Sequence, residues 1–129
     1  MIETSTSSTS RVLCCVAKVG GFGMSYALPK RDGSAYYRAP EVDYMGVVVS
    51  KSDVYSFGVI LWEMCSGQTP YVAAPGGFTW RASYPVAGQP LSLPSSCPLE
   101  MRQLIAACIK LMPSQRPTWG QVLACLQTM

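Results

Sequence analysis

Apolar positions recur at helical spacing in three stretches of this chain. From about residue 53 to 65, Val54, Phe57, Leu61 and Met64 repeat at i, i+3, i+7 and i+10, with Ile60 widening the stripe. Ser52 or Asp53 is suited to cap the start, because a short side-chain oxygen accepts from an otherwise unpaired backbone N–H, and Gly67 supplies a stop. Apolar residues almost all round this segment predict deep burial. A second helix, about 98–111, places Met101, Leu104, Ile105, Cys108 and Met112 on one face, opens with Pro98 and Glu100, and ends at Pro113. A third, about 119–127, follows Thr118. The pattern Thr118-x-x-Gln121 has the form of a capping box, and Trp119, Val122, Leu123 and Leu126 form the stripe.

Elsewhere the pattern is weaker. Residues 1–10, rich in Ser and Thr without periodicity, predict a disordered leader. Arg11 to Val19 is apolar and β-branched enough for a short strand that stops at Gly20-Gly21. Residues 24–38 read as loop, and so does 68–97, where Pro75-Gly76-Gly77 and Pro85 oppose a helix. The expected fold class is therefore mainly α, with one short strand near the N-terminus.

Composition narrows the chemistry. Among 129 residues there is no His, which removes imidazole acid/base catalysis, Cys-His and Ser-His dyads and mixed Cys/His zinc sites. A net charge of +3, with no basic run longer than Lys30-Arg31, argues against nucleic acid and membrane surfaces as partners. Six cysteines without a C-x-x-C pair read as reduced thiols, which places the chain in an intracellular, cytoplasmic setting. Met1-Ile2-Glu3 lacks the basic start of a secretory signal, and no apolar stretch reaches the ~18 residues that a membrane span needs.

Four motifs stand in order along the chain. They are Val16-Ala17-Lys18-Val19-Gly20-Gly21-Phe22-Gly23, Tyr36-Tyr37-Arg38-Ala39-Pro40-Glu41, Ser52-Asp53-Val54-Tyr55-Ser56-Phe57-Gly58-Val59 and Gln115-Arg116-Pro117-Thr118. Together they resemble the C-terminal lobe of a eukaryotic protein kinase over residues 12–129. Ser-Asp-Val-Tyr-Ser-Phe-Gly-Val-Ile-Leu-Trp-Glu-Met and Leu-Pro-Ser-Ser-Cys-Pro look most like the tyrosine-kinase-like serine/threonine group. The resemblance implies a partial kinase C-lobe from residue 11 onward, with an activation segment at 21–41. It also implies a parent family that transfers the γ-phosphate of ATP, held by Mg²⁺, to protein Ser or Thr.

Carried over residue by residue, Phe22 and Gly23 complete the pair that follows the family's metal-binding Asp. Here that Asp position is Gly21, which has no oxygen for a metal. Ala39, Pro40 and Glu41 form the Ala-Pro-Glu motif, and the resemblance implies a buried ion pair between Glu41 and Arg116. Asp53 caps the catalytic loop in the family, and here it equally suits its own helix. Ser34 falls where the family has a Thr beside the substrate hydroxyl, and Tyr37 lies in the same substrate-facing loop. The 129 residues contain no H-R-D-x-x-x-x-N loop, Gly-rich phosphate loop or V-A-I-K lysine. No catalytic, cofactor-binding or metal-binding residue is therefore expected within the chain, and it should need neither ATP nor Mg²⁺. Residues 72–89 do not align with the family's helix at that place: either a loop replaces it or the stretch derives from a retained intron. Ile109 and Met112 stand where the family commonly carries Trp and Asp.

Without its usual neighbours, the 53–65 helix loses cover comparable to the ~5–15 kcal/mol net stability of a whole domain. A protein partner or the remaining kinase half is expected to supply it. Three readings follow: a portion of a larger serine/threonine kinase, a non-catalytic pseudokinase-like interaction module, or an unrelated small helical protein.

Overall fold

The computed structural model describes residues 2–6, 13–18, 36–75, 77–80 and 92–129. Among these, helices dominate. In chain order the elements are β1 (Ile2–Thr6), β2 (Leu13–Ala17), α1 (Pro40–Met45), α2 (Ser50–Ser66), β3 (Tyr71–Ala74), β4 (Gly77–Trp80), α3 (Leu99–Cys108) and α4 (Trp119–Thr128). A 3₁₀ turn at Pro113–Gln115 separates the last two helices.

Two hairpins correct the sequence reading. The leader is not structureless over its length: β1 pairs antiparallel with β2, in a register from Ile2↔Ala17 to Thr6↔Leu13. Threonine is β-branched and suits a pleated strand. Its polarity reads as a tail only until the ladder supplies partners for the backbone. Within the expected loop at 68–97, β3 and β4 form a second antiparallel hairpin, from Tyr71↔Trp80 to Ala74↔Gly77. The Pro and Gly that oppose a helix are turn formers, and Tyr, Val, Phe, Thr and Trp favour strands.

The long helix α2 begins at Ser50, three residues before the periodicity places it, so neither Ser52 nor Asp53 is its N-cap. Ser52 instead occupies the third helical position, where its Oγ accepts from the Val49 N–H at 3.1 Å. At the other end Gly67 adopts φ 67°, a left-handed conformation costly for residues with a Cβ, and its N–H donates to the Glu63 carbonyl at 2.9 Å. The buried face consists of Val54, Tyr55, Val59, Leu61 and Trp62, joined in the core by Leu104, Ile105, Cys108 and Val122. Burial is one-sided, contrary to the expectation of an all-round buried helix. Ile60 is 44% exposed and Met64 74%, because α3 and α4 cover only one flank. Phe57, half-buried, meets the Trp119 ring edge-on with centroids 5.5 Å apart.

Helix α3 stops at Cys108, short of Leu111, and Met112 of its expected stripe is exposed. The carbonyls of Lys110 and Leu111 leave the helical ladder to accept from the Arg116 side chain. Helix α4 opens with reciprocal bonds: Thr118 Oγ1 accepts from the Gln121 N–H at 3.2 Å, and the Thr118 N–H donates to Gln121 Oε1 at 2.8 Å.

Gly58 is where α2 touches α3. A Cβ at this position meets Cys108 Cβ at 2.6 Å and Ile109 Cγ2 at 3.0 Å. Alanine gains ~1 kcal/mol of helix propensity over glycine. Gly58→Ala is nevertheless expected to lose about 1–2 kcal/mol net, because the two helix backbones must separate. Urea unfolding checks this, and a variant as stable as the parent contradicts it.

Candidate functional site

Residues 36–45 reach the helical base through a short extended link. Ala39, at φ −67° and ψ 146°, precedes α1, and Pro40 takes its first turn, where a missing N–H costs nothing. Ala39 is fully buried in the core. This geometry points the next side chain, Glu41, inward from a helix of only six residues, which ends at Gly46 in a left-handed conformation.

Glu41 meets Arg116 across 75 residues of sequence. The pair is bidentate, with Arg116 Nη1 to Glu41 Oε1 at 2.7 Å and Nη2 to Oε2 at 2.8 Å. The remaining donors of the guanidinium are also used: Nη1 to the Lys51 carbonyl at 2.9 Å, Nη2 to Leu111 at 3.0 Å and Nε to Lys110 at 2.8 Å. All five N–H groups of Arg116 therefore have an acceptor, and the residue is 2% exposed. Tyr55 lies beneath the guanidinium, its ring centroid 4.9 Å from Cζ. Ser52 Oγ donates to Glu41 Oε1 at 2.7 Å, completing the carboxylate's surroundings. Lys51 Nζ donates in turn to the Arg116 carbonyl.

This is a buried ion pair with its hydrogen bonds satisfied, the condition under which Coulomb attraction offsets the loss of hydration. The hydrogen bonds from Arg116 pull the Glu41 carboxyl down. Burial opposes them and the Ser52 hydroxyl helps, leaving it at about 2 against an ordinary 4.5. The folded state thus binds the Glu41 proton more weakly than the unfolded chain does. The associated stability is present above about pH 4.5 and is lost as pH falls towards 2, an expected contribution of about 3 kcal/mol. Urea midpoints measured between pH 5 and pH 2.5 should fall less steeply in Glu41→Gln than in the parent. Equal slopes count against this assignment.

The other candidate residues separate. Phe22, Gly23, Ser34 and also Gly21 lie outside the described residues. Asp53 is exposed in the first turn of α2. Tyr37 is half-buried, and its hydroxyl donates to Glu63 Oε2 at 2.7 Å, holding the chain ahead of α1 against the last turn of α2. Sequence reasoning missed Ser52, Lys51, Tyr55 and Glu63 as neighbours of these groups. Ser52 and Tyr55 flank Asp53 within one motif, and that adjacency was the available signal.

No group of three His, Cys, Asp or Glu among the described residues is arranged to hold a metal ion. An open cavity of about 560 Å³ lies between α3 and α4, lined by Gln103, Leu104, Ala107, Gln121 and Cys125. Its cation is Arg116, whose donors are already committed. These residues do not fit a magnesium–triphosphate group. No helix among the described residues is long and apolar enough to cross a membrane.

A family profile for protein tyrosine and serine/threonine kinases matches residues 12–126. The mouse proto-oncogene tyrosine-protein kinase ROS is 34% identical over 125 residues, covering 87% of this chain and 5% of that protein. Human mitogen-activated protein kinase kinase kinase 11 is 37% identical over 99 residues, covering 75% of this chain and 11% of the relative. The probable serine/threonine-protein kinase roco7 of Dictyostelium discoideum is 30% identical over 123 residues, covering 88% and 5%. The chain therefore spans a small part of each of these relatives. With the Ala-Pro-Glu motif closed onto Arg116 beneath a mainly helical lobe, the chain belongs to the protein tyrosine and serine/threonine kinase family.

Proposed function

We propose that these residues form the substrate-side part of a serine/threonine protein kinase domain, and that the 129-residue chain by itself transfers no phosphate. The observation that carries this reading is the Glu41–Arg116–Ser52 cluster. Its five-bond guanidinium and shared carboxylate tie residues 36–45 to α2 and to the turn before α4. Such a lock is useful where a loop must be held in register against a protein substrate, since catalysis depends on positioning. The partner that the chain requires is the rest of a kinase domain. Ile60 and Met64 on α2, and separately Tyr44, Met45 and Val48, are exposed apolar side chains that it would cover.

A second reading is favoured by Gly21. Glycine at the position of the family's metal-binding Asp withholds one hard oxygen ligand from the cation that neutralises the transferring phosphoryl group. A domain completed around this chain would then be a non-catalytic interaction module.

Two assays test the pair. The purified 129-residue chain, given Mg²⁺-ATP and casein, should incorporate no phosphate above an enzyme-free control, and incorporation overturns the first proposal. Joined to the upstream half of a related kinase domain, the chain with Gly21→Asp should phosphorylate casein. The Gly21 chimera should be slower by roughly 10²-fold or more. Equal rates dismiss the non-catalytic reading.

A further inference from the structure

Two arginines serve the short helix α1, and their donors are in opposite states. Arg116 has an acceptor for every N–H group. Arg38, two residues ahead of α1, makes a single-pronged pair with Asp43, Nη1 to Oδ1 at 2.7 Å, with its side chain 16% exposed. Its other terminal nitrogen, Nη2, is buried without a hydrogen-bond partner. Among the described residues, no other buried side-chain nitrogen or oxygen lacks one. An unmade bond of a buried charged donor carries a free-energy penalty that a fitting acceptor removes.

The backbone on both sides of Arg38 is held. Tyr37 is tied to Glu63, Ala39 is fully buried, and Glu41 is locked to Arg116. The guanidinium is therefore positioned in advance, and what it lacks is an acceptor for its second prong. Asp43 supplies one prong only. It stands five residues along the chain, within α1, and brings a single oxygen to the arginine. Its side chain is 38% exposed, so it can turn to water at little cost.

We propose that Arg38 is a specificity-determining residue that binds an acidic side chain of a protein substrate, displacing Asp43. This rests on the reading of residues 36–45 as part of a substrate-side surface. An incoming Glu or Asp carboxylate arrives at the exposed side of the pair. The guanidinium turns to meet it with both Nη1 and Nη2, the planar fork that a carboxylate accepts two-pronged. Asp43 is an internal stand-in for this ligand. It shows the chemistry that the arginine takes, and it occupies the arginine until an untethered carboxylate replaces it.

The test is fluorescence anisotropy with the full 129-residue chain. The probe is a fluorescein-labelled peptide carrying one serine followed by three glutamates, and its counterpart has glutamines instead. The glutamate peptide should bind and the glutamine peptide should not. Arg38→Gln should weaken binding roughly tenfold to a hundredfold, and Arg38→Lys should lose most of the same affinity, because an ammonium has no fork. Asp43→Asn should tighten binding about twofold to fivefold, while Glu100→Gln, the same change of charge on α3, should leave it unaltered. A gain in Asp43→Asn cannot come from lost folding, so the test stands even if the Arg38 variants unfold. Equal binding of the two peptides, full affinity in Arg38→Lys, or no gain in Asp43→Asn overturns the proposal. Displacement of the peptide by free sodium glutamate overturns it too, by assigning the arginine to small acids. A chimera that phosphorylates casein while the peptides bind equally would refute this assignment and leave the kinase reading intact.

Discussion

Arg116→Met is expected to destabilise the fold by about 3–5 kcal/mol, because it removes one charge of a buried pair and leaves the other without its partner. The Glu41 carboxylate would keep the Ser52 hydroxyl but lose both guanidinium bonds, and the carbonyls of Lys51, Lys110 and Leu111 would each lose a donor. Against a typical net stability of ~5–15 kcal/mol, such a loss is a large fraction of the whole. Arg116→Lys should fall in between, since an ammonium keeps the charge but cannot reproduce the planar fork. Glu41→Gln should also destabilise, and the double variant Glu41→Gln/Arg116→Met should cost less than the sum of its parts, as expected for residues in direct contact. Urea unfolding of the four variants measures each term. Additive losses, or a change below about 1 kcal/mol for Arg116→Met, would show that the cluster is dispensable to the fold.

Trp62→Ala is the second large effect expected, a loss of about 3–5 kcal/mol. The Trp62 side chain is among the largest that are fully buried and sits in the core with Val59, Ile105 and Cys108. Removing it leaves a cavity between α2 and α3 that rigid helices cannot close. It also unpins the Ser92 carbonyl, and with it the segment that leads to Cys97. Trp62→Phe separates the two contributions. It keeps most of the volume and loses the indole donor, with an expected cost near 1 kcal/mol for the hydrogen bond. Urea midpoints for both variants decide the matter, and a Trp62→Ala chain as stable as Trp62→Phe would refute the packing argument.

Much of the helical frame is written locally. Thr118 and Gln121 are three residues apart, and their reciprocal bonds depend on nothing beyond the first turn of α4. Gly67 ends α2 through its own left-handed conformation, and Pro40 opens α1 through its fixed φ. The hairpins were not legible in this way. The ladder Ile2–Thr6 with Leu13–Ala17 exists only once both strands are present, and a Ser/Thr-rich stretch carries little apolar alternation to announce it. The direction of α2 was hidden as well. Its apolar residues surround the helix, so the pattern does not say that Tyr55, Val59 and Trp62 turn inward while Ile60 and Met64 face out.

By itself, the sequence determined the kinase family, through four motifs in order, and the helices whose caps and periods close within a turn or two. It also supplied Glu41 and Arg116, whose ion pair the family resemblance implied, though not the further partners that complete it. Only the tertiary structure decided that the Ser52 hydroxyl donates to Glu41 and that Tyr37 bonds to Glu63. The reason is the distance along the chain over which each bond is made. A cap is settled by backbone angles within a few residues, whereas a contact across 26 or 75 residues forms only after helices have packed and excluded water. Arg116 shows the consequence most directly, since its five acceptors come from three separate segments that only the folded lobe brings around one guanidinium.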